Sequence, residues 1–388
     1  MPIKNRFAEI HAEITAWRRH LHQHPELMFD LPETSKFVAD KLRSFGITDI
    51  TTGIAQTGVV AVIEGQSNNS GRTIGLRADM DALPIHEATG LPHASKTPGK
   101  MHVCGHDGHT AMLLGAAQYL AETRNFDGRV VLIFQPAEEG GGGGNVMVEE
   151  GLMDRWGIDE VYGMHNMPGL PTGQFAIREG ALLAAADEFT ITLTGQGGHA
   201  AAPHEAIDTN LAAAHVLIAL QSIASRNTDP LKQVVVSVCT LRSDTESHNV
   251  LPHQVLLRGT VRTLAPEVRD LAERRLHDLT RLTAEAHQCS AEIDYQRGYP
   301  VTSNHAEQTR FAADAADQIT PGTIRDTPPI MAGEDFSYML NARPGAYIMI
   351  GNGEGATVHH PEYDFDDAAI PAGCSWFAQV VEDRLARA

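Results

Sequence analysis

Gly128-Arg129-Val130-Val131-Leu132-Ile133-Phe134-Gln135-Pro136-Ala137-Glu138-Glu139-Gly140 is the stretch from which the fold is read. Val130 to Phe134 is an unbroken apolar run of strand length, the pattern of a strand covered on both faces and so of an open α/β sheet. Two adjacent glutamates then stand between this strand and a run of glycines, Gly140 to Gly144. Adjacent acids ordinarily decorate a solvated face, and charge is seldom set beside a core strand without a partner or a task. Open α/β sheets place their sites at the carboxyl ends of strands. Glu138 and Glu139 are therefore the first candidates, one as a metal ligand and its neighbour as a general base on water. The glycines are not a phosphate loop, because no Lys-Ser/Thr follows and no GxGxxG-plus-acid unit is formed. They allow the backbone to approach the site closely.

Other strand ends carry matching chemistry. Thr73 to Arg77 reads as a short strand running into Asp79 and Asp81, which are site carboxylates or plain turn and cap acids. Val161 to Asn166 is another short strand, with His165 near its end. Between them lies Met101-His102-Val103-Cys104-Gly105-His106-Asp107-Gly108-His109, a thiol, three imidazoles and a carboxylate. Sulfur with imidazole suits zinc and its first-row neighbours and serves magnesium or calcium poorly. A buried thiol beside a polar turn is the plainer alternative; the density of donors favours a metal. Late in the chain, Thr357-Val358-His359-His360-Pro361 offers one more imidazole.

The 388 residues exceed one typical core, so two domains are expected. A formal charge of -19 argues against nonspecific binding to nucleic acid or to an anionic membrane. The four cysteines lie far apart without a CxxC pair, as free thiols of a reducing compartment do. The first residues hold no apolar signal core, and no run reaches the ~18–20 apolar residues of a membrane helix. A soluble cytoplasmic protein is expected.

Phe7, Ile10, Ile14, Trp17 and Leu21 predict an opening amphipathic helix, and a second follows Pro32 and stops at Gly46. From Asp187 the organisation changes. Strand 187–194, helix 207–225, strands 233–241 and 254–263, helix 266–287 and strand 290–296 give the order βαββαβ, the ferredoxin-like pattern. The first style resumes near Tyr299, with helix 305–318, strand 346–350 and a final helix from about Asp367. The expected architecture is a three-layer α/β/α domain, residues 1–183 and 299–388, with an inserted ferredoxin-like α+β domain, residues 184–298.

Arg77-Ala-Asp-Met-Asp-Ala-Leu-Pro84, His102-Val-Cys-Gly-His-Asp-Gly-His109, Gln135-Pro-Ala-Glu-Glu-Gly140, Gly197-Gly-His-Ala-Ala201 and Gly333-Glu-Asp-Phe336 follow one another in this order. Together they resemble the hippurate hydrolase (N-acyl-amino-acid amidohydrolase) branch of the carboxypeptidase/aminoacylase superfamily of dinuclear metallopeptidases. The resemblance runs from Arg19-His20-Leu21-His22 to Tyr363-Asp364-Phe365. It implies hydrolysis of an amide to an acid and a free amino acid, two divalent metal ions (zinc, manganese, cobalt or nickel), and a homodimer or tetramer formed through the inserted domain. Motif by motif, it implies Cys104, His106, Glu139, His165 and His359 as metal ligands and Glu138 as the general base. It also implies His199 at the oxyanion and Asn249, Arg262 and Gly333 at the substrate. Asp79, Asp81 and His109 would support the ligands from behind. His360 stays open beside His359. The wider superfamily has a histidine ligand near the position of Asp79, a role that Cys104 would take over here. The implied substrates are hippurate-like N-acyl amino acids, with N-acetyl amino acids, N-acetyl-diaminopimelate and indole-3-acetyl conjugates open. Two rival readings remain: a Cys104 nucleophile with His106 or His199 as base, and a binding protein on the same fold without turnover.

Overall fold

The computed structural model describes residues 4–387. They form two compact units, one taking the chain up to Leu182, Ser303–Pro328 and Asp335 onward, the other Leu183–Thr302 and Pro329–Glu334. In chain order the strands are β1 (Asp49–Ile54), β2 (Gly58–Glu64), β3 (Thr73–Asp79), β4 (Arg129–Gln135), β5 (Glu160–Met167), β6 (Phe175–Ala176) and β7 (Gly180–Leu183). There follow β8 (Ala185–Thr194), β9 (Gly198–His199), β10 (Val234–Ser243), β11 (Val250–Leu251), β12 (Gln254–Thr263), β13 (Ser290–Arg297), β14 (Thr302–Asn304) and β15 (Gly345–Gly351).

The larger unit is built on a seven-stranded sheet of order β1-β2-β4-β3-β5-β15-β6. Strands β4, β3, β5 and β15 are parallel neighbours, and β2 joins β4 antiparallel. Every residue of β3 and β15 is buried, and so is every residue of β4 after Arg129. A sheet buried on both faces needs near-continuous apolar strands, which is what Val130 to Phe134 supplies. From β3 the chain crosses to β4 on one side, and from β4 to β5 on the other. This reversal is the crevice in which open sheets hold ligands. Helix His106–Thr123 starts at Gly105, whose φ is +93°, and is buried from His106 to Ala117.

Three local features of the larger unit depart from the sequence pattern. The opening helix is two, Asn5–Glu9 and His11–Gln23, broken where Ile10 leaves the helical region (φ −97°, ψ 9°). Strand β1 was not anticipated: Asp49-Ile-Thr-Thr-Gly-Ile54 is a half-exposed edge with an irregular register near Gly53, so it lacks a clean alternation. The glycine run is a loop only as far as Gly142, and a helix begins at Gly143. A Cβ at Gly143 would run into the Pro136 carbonyl, and one at Gly144 would lie 2.8 Å from the Asp335 carbonyl, so close packing decides against propensity.

In the smaller unit, β8, helix Thr209–Leu220, β10, β12, helix Pro266–Ala286 and β13 follow in the order βαββαβ. The antiparallel sheet runs β10-β12-β8-β13, the split-βαβ order. Burial alternates along β8, so Phe189, Ile191 and Leu193 face a core shared with Val216, Leu220, Ala272 and Leu276. The first of its helices ends at Leu220, earlier than expected, and a π-helical turn carries the chain to Asn227.

Candidate metal centre

The carboxyl ends of three adjacent strands converge in the larger unit. Asp79 closes β3, Glu138 and Glu139 follow β4, and His165 lies near the end of β5. Cys104 and His106 come from the turn into helix His106–Thr123. Donor atoms of Cys104, His106 and His165 lie within 4.8 Å of one another, as do those of Cys104, Glu139 and His359. The two groups share the thiol. His106, Glu138 and Glu139 form a further such group, and Asp79, His106 and His109 another.

Hydrogen bonds aim these donors. His106 Nδ1 donates to the Asp81 carbonyl at 2.8 Å, which leaves Nε2 buried with no hydrogen-bond partner. That nitrogen is 3.8 Å from Asp79 Oδ2 and 3.9 Å from Glu139 Oε1. His165 Nδ1 donates to the Asn166 carbonyl at 2.7 Å, and its Nε2 lies 3.4 Å from Cys104 Sγ. His359 Nε2 is 3.3 Å from Glu139 Oε1 without the alignment of a hydrogen bond. His360 Nδ1 instead accepts from the Glu362 N–H at 3.2 Å, and His360 belongs to none of these donor groups.

Behind the donors stand the two aspartates. Asp81 accepts from the Glu138 N–H at 3.0 Å and the Glu139 N–H at 3.1 Å, and so fixes the turn after β4. Asp79 accepts from Arg77 Nη1 at 2.7 Å and from His109 Nδ1 at 2.6 Å. His109 Nε2 accepts from the Asn166 N–H at 3.0 Å, so both its ring nitrogens are engaged. Arg77 also donates to Gln135 and to Asp335, which holds the Gly144 N–H at 2.7 Å. Motif reading named Asp79 but missed Asn166, Tyr363 and the pairing of Arg77 with Gln135 and Asp335. The available signal was a guanidinium inside an apolar strand, which must have buried acids to meet.

A second buried network ties the opening helix to this turn. Arg18 Nε is 2.9 Å from Asp107 Oδ2 and Arg18 Nη2 is 2.6 Å from Asp364 Oδ1. His22 Nδ1 is 2.8 Å from Asp107 Oδ2, and its Nε2 is 3.4 Å from the Glu87 carboxylate.

The pocket holds surplus negative charge. Burial would strip the proton from His106, but Asp79, Asp81 and Glu139 outweigh it and raise the imidazole to about 10. Burial, joined by the charges of Glu139, Glu138 and Asp79, pushes the Cys104 thiol well above its ordinary range. Burial and the neighbouring His109 bring His165 down to about 3. A bare buried nitrogen on His106, a buried Glu139 oxygen without a hydrogen bond, and this field all fit a divalent cation. Thiolate, imidazole and carboxylate together suit zinc and the first-row metals.

The remaining candidates belong to the smaller unit. His199 is exposed on β9, which pairs with β11, and its Nδ1 accepts from the Ala201 N–H at 3.0 Å. Asn249 accepts the Ala200 N–H on its carbonyl at 3.0 Å, beside the same two-stranded ribbon. Arg262 Nε donates to Thr260 Oγ1 at 3.1 Å. A Cβ at Gly333 would lie 3.3 Å from Arg262 Nη1, so these two positions adjoin.

Residues 75–383 match the model of a family described as peptidase family M20/M25/M40. The chain belongs to this family. It is 39% identical over 374 residues to hippurate hydrolase of Campylobacter jejuni, covering 96% of each chain. It is 42% identical over 354 residues to N-acetyl-L-cysteine deacetylase of Bacillus subtilis, covering 91% of this chain and 83% of that one. A solved structure from Bacillus subtilis, a dinuclear metal binding peptidase of the M20 family, superposes with a TM-score of 0.85 at 34% identity, over 97% of this chain and 99% of the other. The chain is a metal-dependent amidohydrolase acting on linear amides. No helix of the described residues is long and apolar enough to cross a membrane.

Proposed function

We propose that this amidohydrolase cleaves the amide bond of small N-acyl amino acids at the centre described above. In this reading Cys104, His106, Glu139, His165 and His359 hold two divalent ions. The observation that carries it is the pair of donor groups, Cys104 with His106 and His165 and Cys104 with Glu139 and His359, that share one thiol, together with a buried His106 Nε2 that no hydrogen bond satisfies. The ions, when bound, supply Lewis acidity to a carbonyl and acidify water. Glu138, which groups with His106 and Glu139, takes the proton of the attacking water and delivers it to the leaving nitrogen. An amide nitrogen leaves poorly unless protonated, so one carboxylate serving both steps is sufficient. His199 stabilises the oxyanion, Arg262 takes the carboxylate of the amino acid, and Asn249 and the Gly333 turn help seat it.

The relatives named for hippurate and N-acetylcysteine support an N-acyl amino acid as substrate. A Cys104 nucleophile fits less well, because burial and the surrounding carboxylates hold that thiol protonated. Four free cysteines fit a reducing compartment such as the cytoplasm. Strand β10 is an open edge of its sheet, and Leu211 and Ile218 are exposed on helix Thr209–Leu220. We assign this surface to a second copy of the chain, to be checked by sedimentation.

The deciding experiment is metal content together with hydrolysis of hippurate, N-acetyl-methionine and N-acetyl-diaminopimelate, before and after chelation and metal add-back. Activity that disappears and returns supports the proposal and ranks the acyl groups. Activity indifferent to chelation returns the weight to Cys104 as nucleophile.

A further inference from the structure

Asn166 is buried next to His165 at the end of β5, and its carboxamide is used in both directions. Nδ2 donates to the Cys104 carbonyl at 2.5 Å, and Oδ1 accepts from the Tyr363 hydroxyl at 2.7 Å. Its own carbonyl takes the His165 Nδ1 proton at 2.7 Å. One residue thus touches the peptide of Cys104, the ring of His165 and, through Tyr363, the segment that follows His359. The amide cannot turn over, because its oxygen would then face the Cys104 carbonyl oxygen.

Gly105 provides an independent sign of the same contact. Its φ is +93°, and a Cβ there would run into Asn166 Nδ2 and lie 2.6 Å from the Tyr363 hydroxyl. Asn166 and Tyr363 therefore occupy the space beside the Cys104–Gly105 peptide where a side chain would go. A cysteine has a single side-chain torsion before its sulfur, so fixing that peptide leaves Sγ only the three staggered positions about one bond.

We propose that Asn166 and Tyr363 are positioning residues that clamp the Cys104–Gly105 peptide and so hold the Cys104 thiol toward His165. This inference rests on the reading of Cys104 as a metal ligand. A neutral amide suits the task. It offers a donor to the carbonyl and an acceptor to the phenol, and it adds no charge to a pocket already rich in carboxylates.

The test uses the full chain carrying Asn166→Ala or Tyr363→Phe, stripped of metal and titrated with cobalt(II) against a chromophoric chelator. Affinity and the thiolate-to-cobalt charge-transfer absorbance are read together, with thermal unfolding in chelator recorded alongside. Asn166→Ala should weaken cobalt affinity by about 10-fold or more, the usual effect of removing a group that orients a ligand, and should shrink the thiolate band. Tyr363→Phe should move both in the same direction by less. If Asn166→Ala does not unfold cooperatively, Tyr363→Phe decides alone, since it removes one oxygen and keeps the ring. Wild-type affinity with a full thiolate band in both variants would overturn the inference, whatever their melting temperatures. A wild-type protein without a thiolate band, or one whose band survives Cys104→Ser, would instead remove Cys104 as a ligand and this inference with it.

Discussion

His22 offers a prediction whose size can be worked from the structure. It is fully buried on helix His11–Gln23, between Asp107 at 2.8 Å and Glu87 at 3.4 Å. Burial lowers its pKa and the nearby Arg18 lowers it further, but the hydrogen bonds to Asp107 and Glu87 win and raise it from 6.5 to about 9. A group raised on folding gives stability that is complete below its unfolded value and lost as pH climbs through its folded one. Between pH 6.5 and 9 the native state holds a proton that the unfolded chain has released. Stability should then fall by about 1.4 kcal/mol per pH unit, roughly 3 kcal/mol over the window. The depression of Glu87 to about 2, helped by Thr89 and the Ser95 N–H, is partly the same contact seen from its other partner and is not added. Substituting His22→Gln removes the charge and keeps a polar side chain. Urea unfolding in chelator, from pH 6 to pH 9.5, should show the variant less stable at pH 6 and the gap narrowing by about 3 kcal/mol at the alkaline end. Parallel stability curves for the two proteins would refute the reasoning.

Three further outcomes bear on the chemistry. Glu138→Ala should lower turnover by at least the ~10²–10⁴-fold typical of a lost general base, with metal content near wild type; retained turnover would remove it from that role. Cys104→Ser should weaken metal binding, measured by equilibrium dialysis, and an unchanged metal content would leave the thiol as a packing residue. His199→Ala should lower kcat by about 10²–10³-fold with metal retained, so a silent variant would sink the oxyanion assignment.

The apolar run before Glu138 was legible because a sheet buried on both faces leaves a continuous hydrophobic signature. The βαββαβ order was legible because its helices and strands alternate at their own periods. Arg77 shows where such reading stops. Its burial is made tolerable by Asp79, Gln135 and Asp335 among others, and two of these come from distant segments. Asn166 is similar: beside a histidine it reads as an ordinary strand-end polar residue, and its meaning lies in the Cys104 carbonyl and the Tyr363 hydroxyl. Local periodicity carries no information on such pairings. The helix starting at Gly143 fails for the opposite reason, since propensity speaks against it and only close approach to Pro136 and Asp335 explains it.

Two of the seven non-glycine residues with positive φ among the described residues stand beside the site. Ala137 has φ +56° and His359 φ +66°, left-handed values at residues that bear a Cβ. Each costs roughly 1–3 kcal/mol and persists only where its surroundings leave no alternative. Ala137 precedes Glu138, whose N–H is held by Asp81 at 3.0 Å, while the Ala137 carbonyl accepts the Gly143 N–H at 3.0 Å. His359 donates its N–H to the Val103 carbonyl at 2.8 Å, immediately before Cys104. Relaxing either residue would break a hydrogen bond that ties its turn to the Asp79–Asp81 segment or to the Cys104 segment. Two turns far apart in sequence are thereby tied to the Asp79–Asp81 and Cys104 segments, so the hydrogen bonds that hold the turns also set where Glu138, Glu139 and His359 stand.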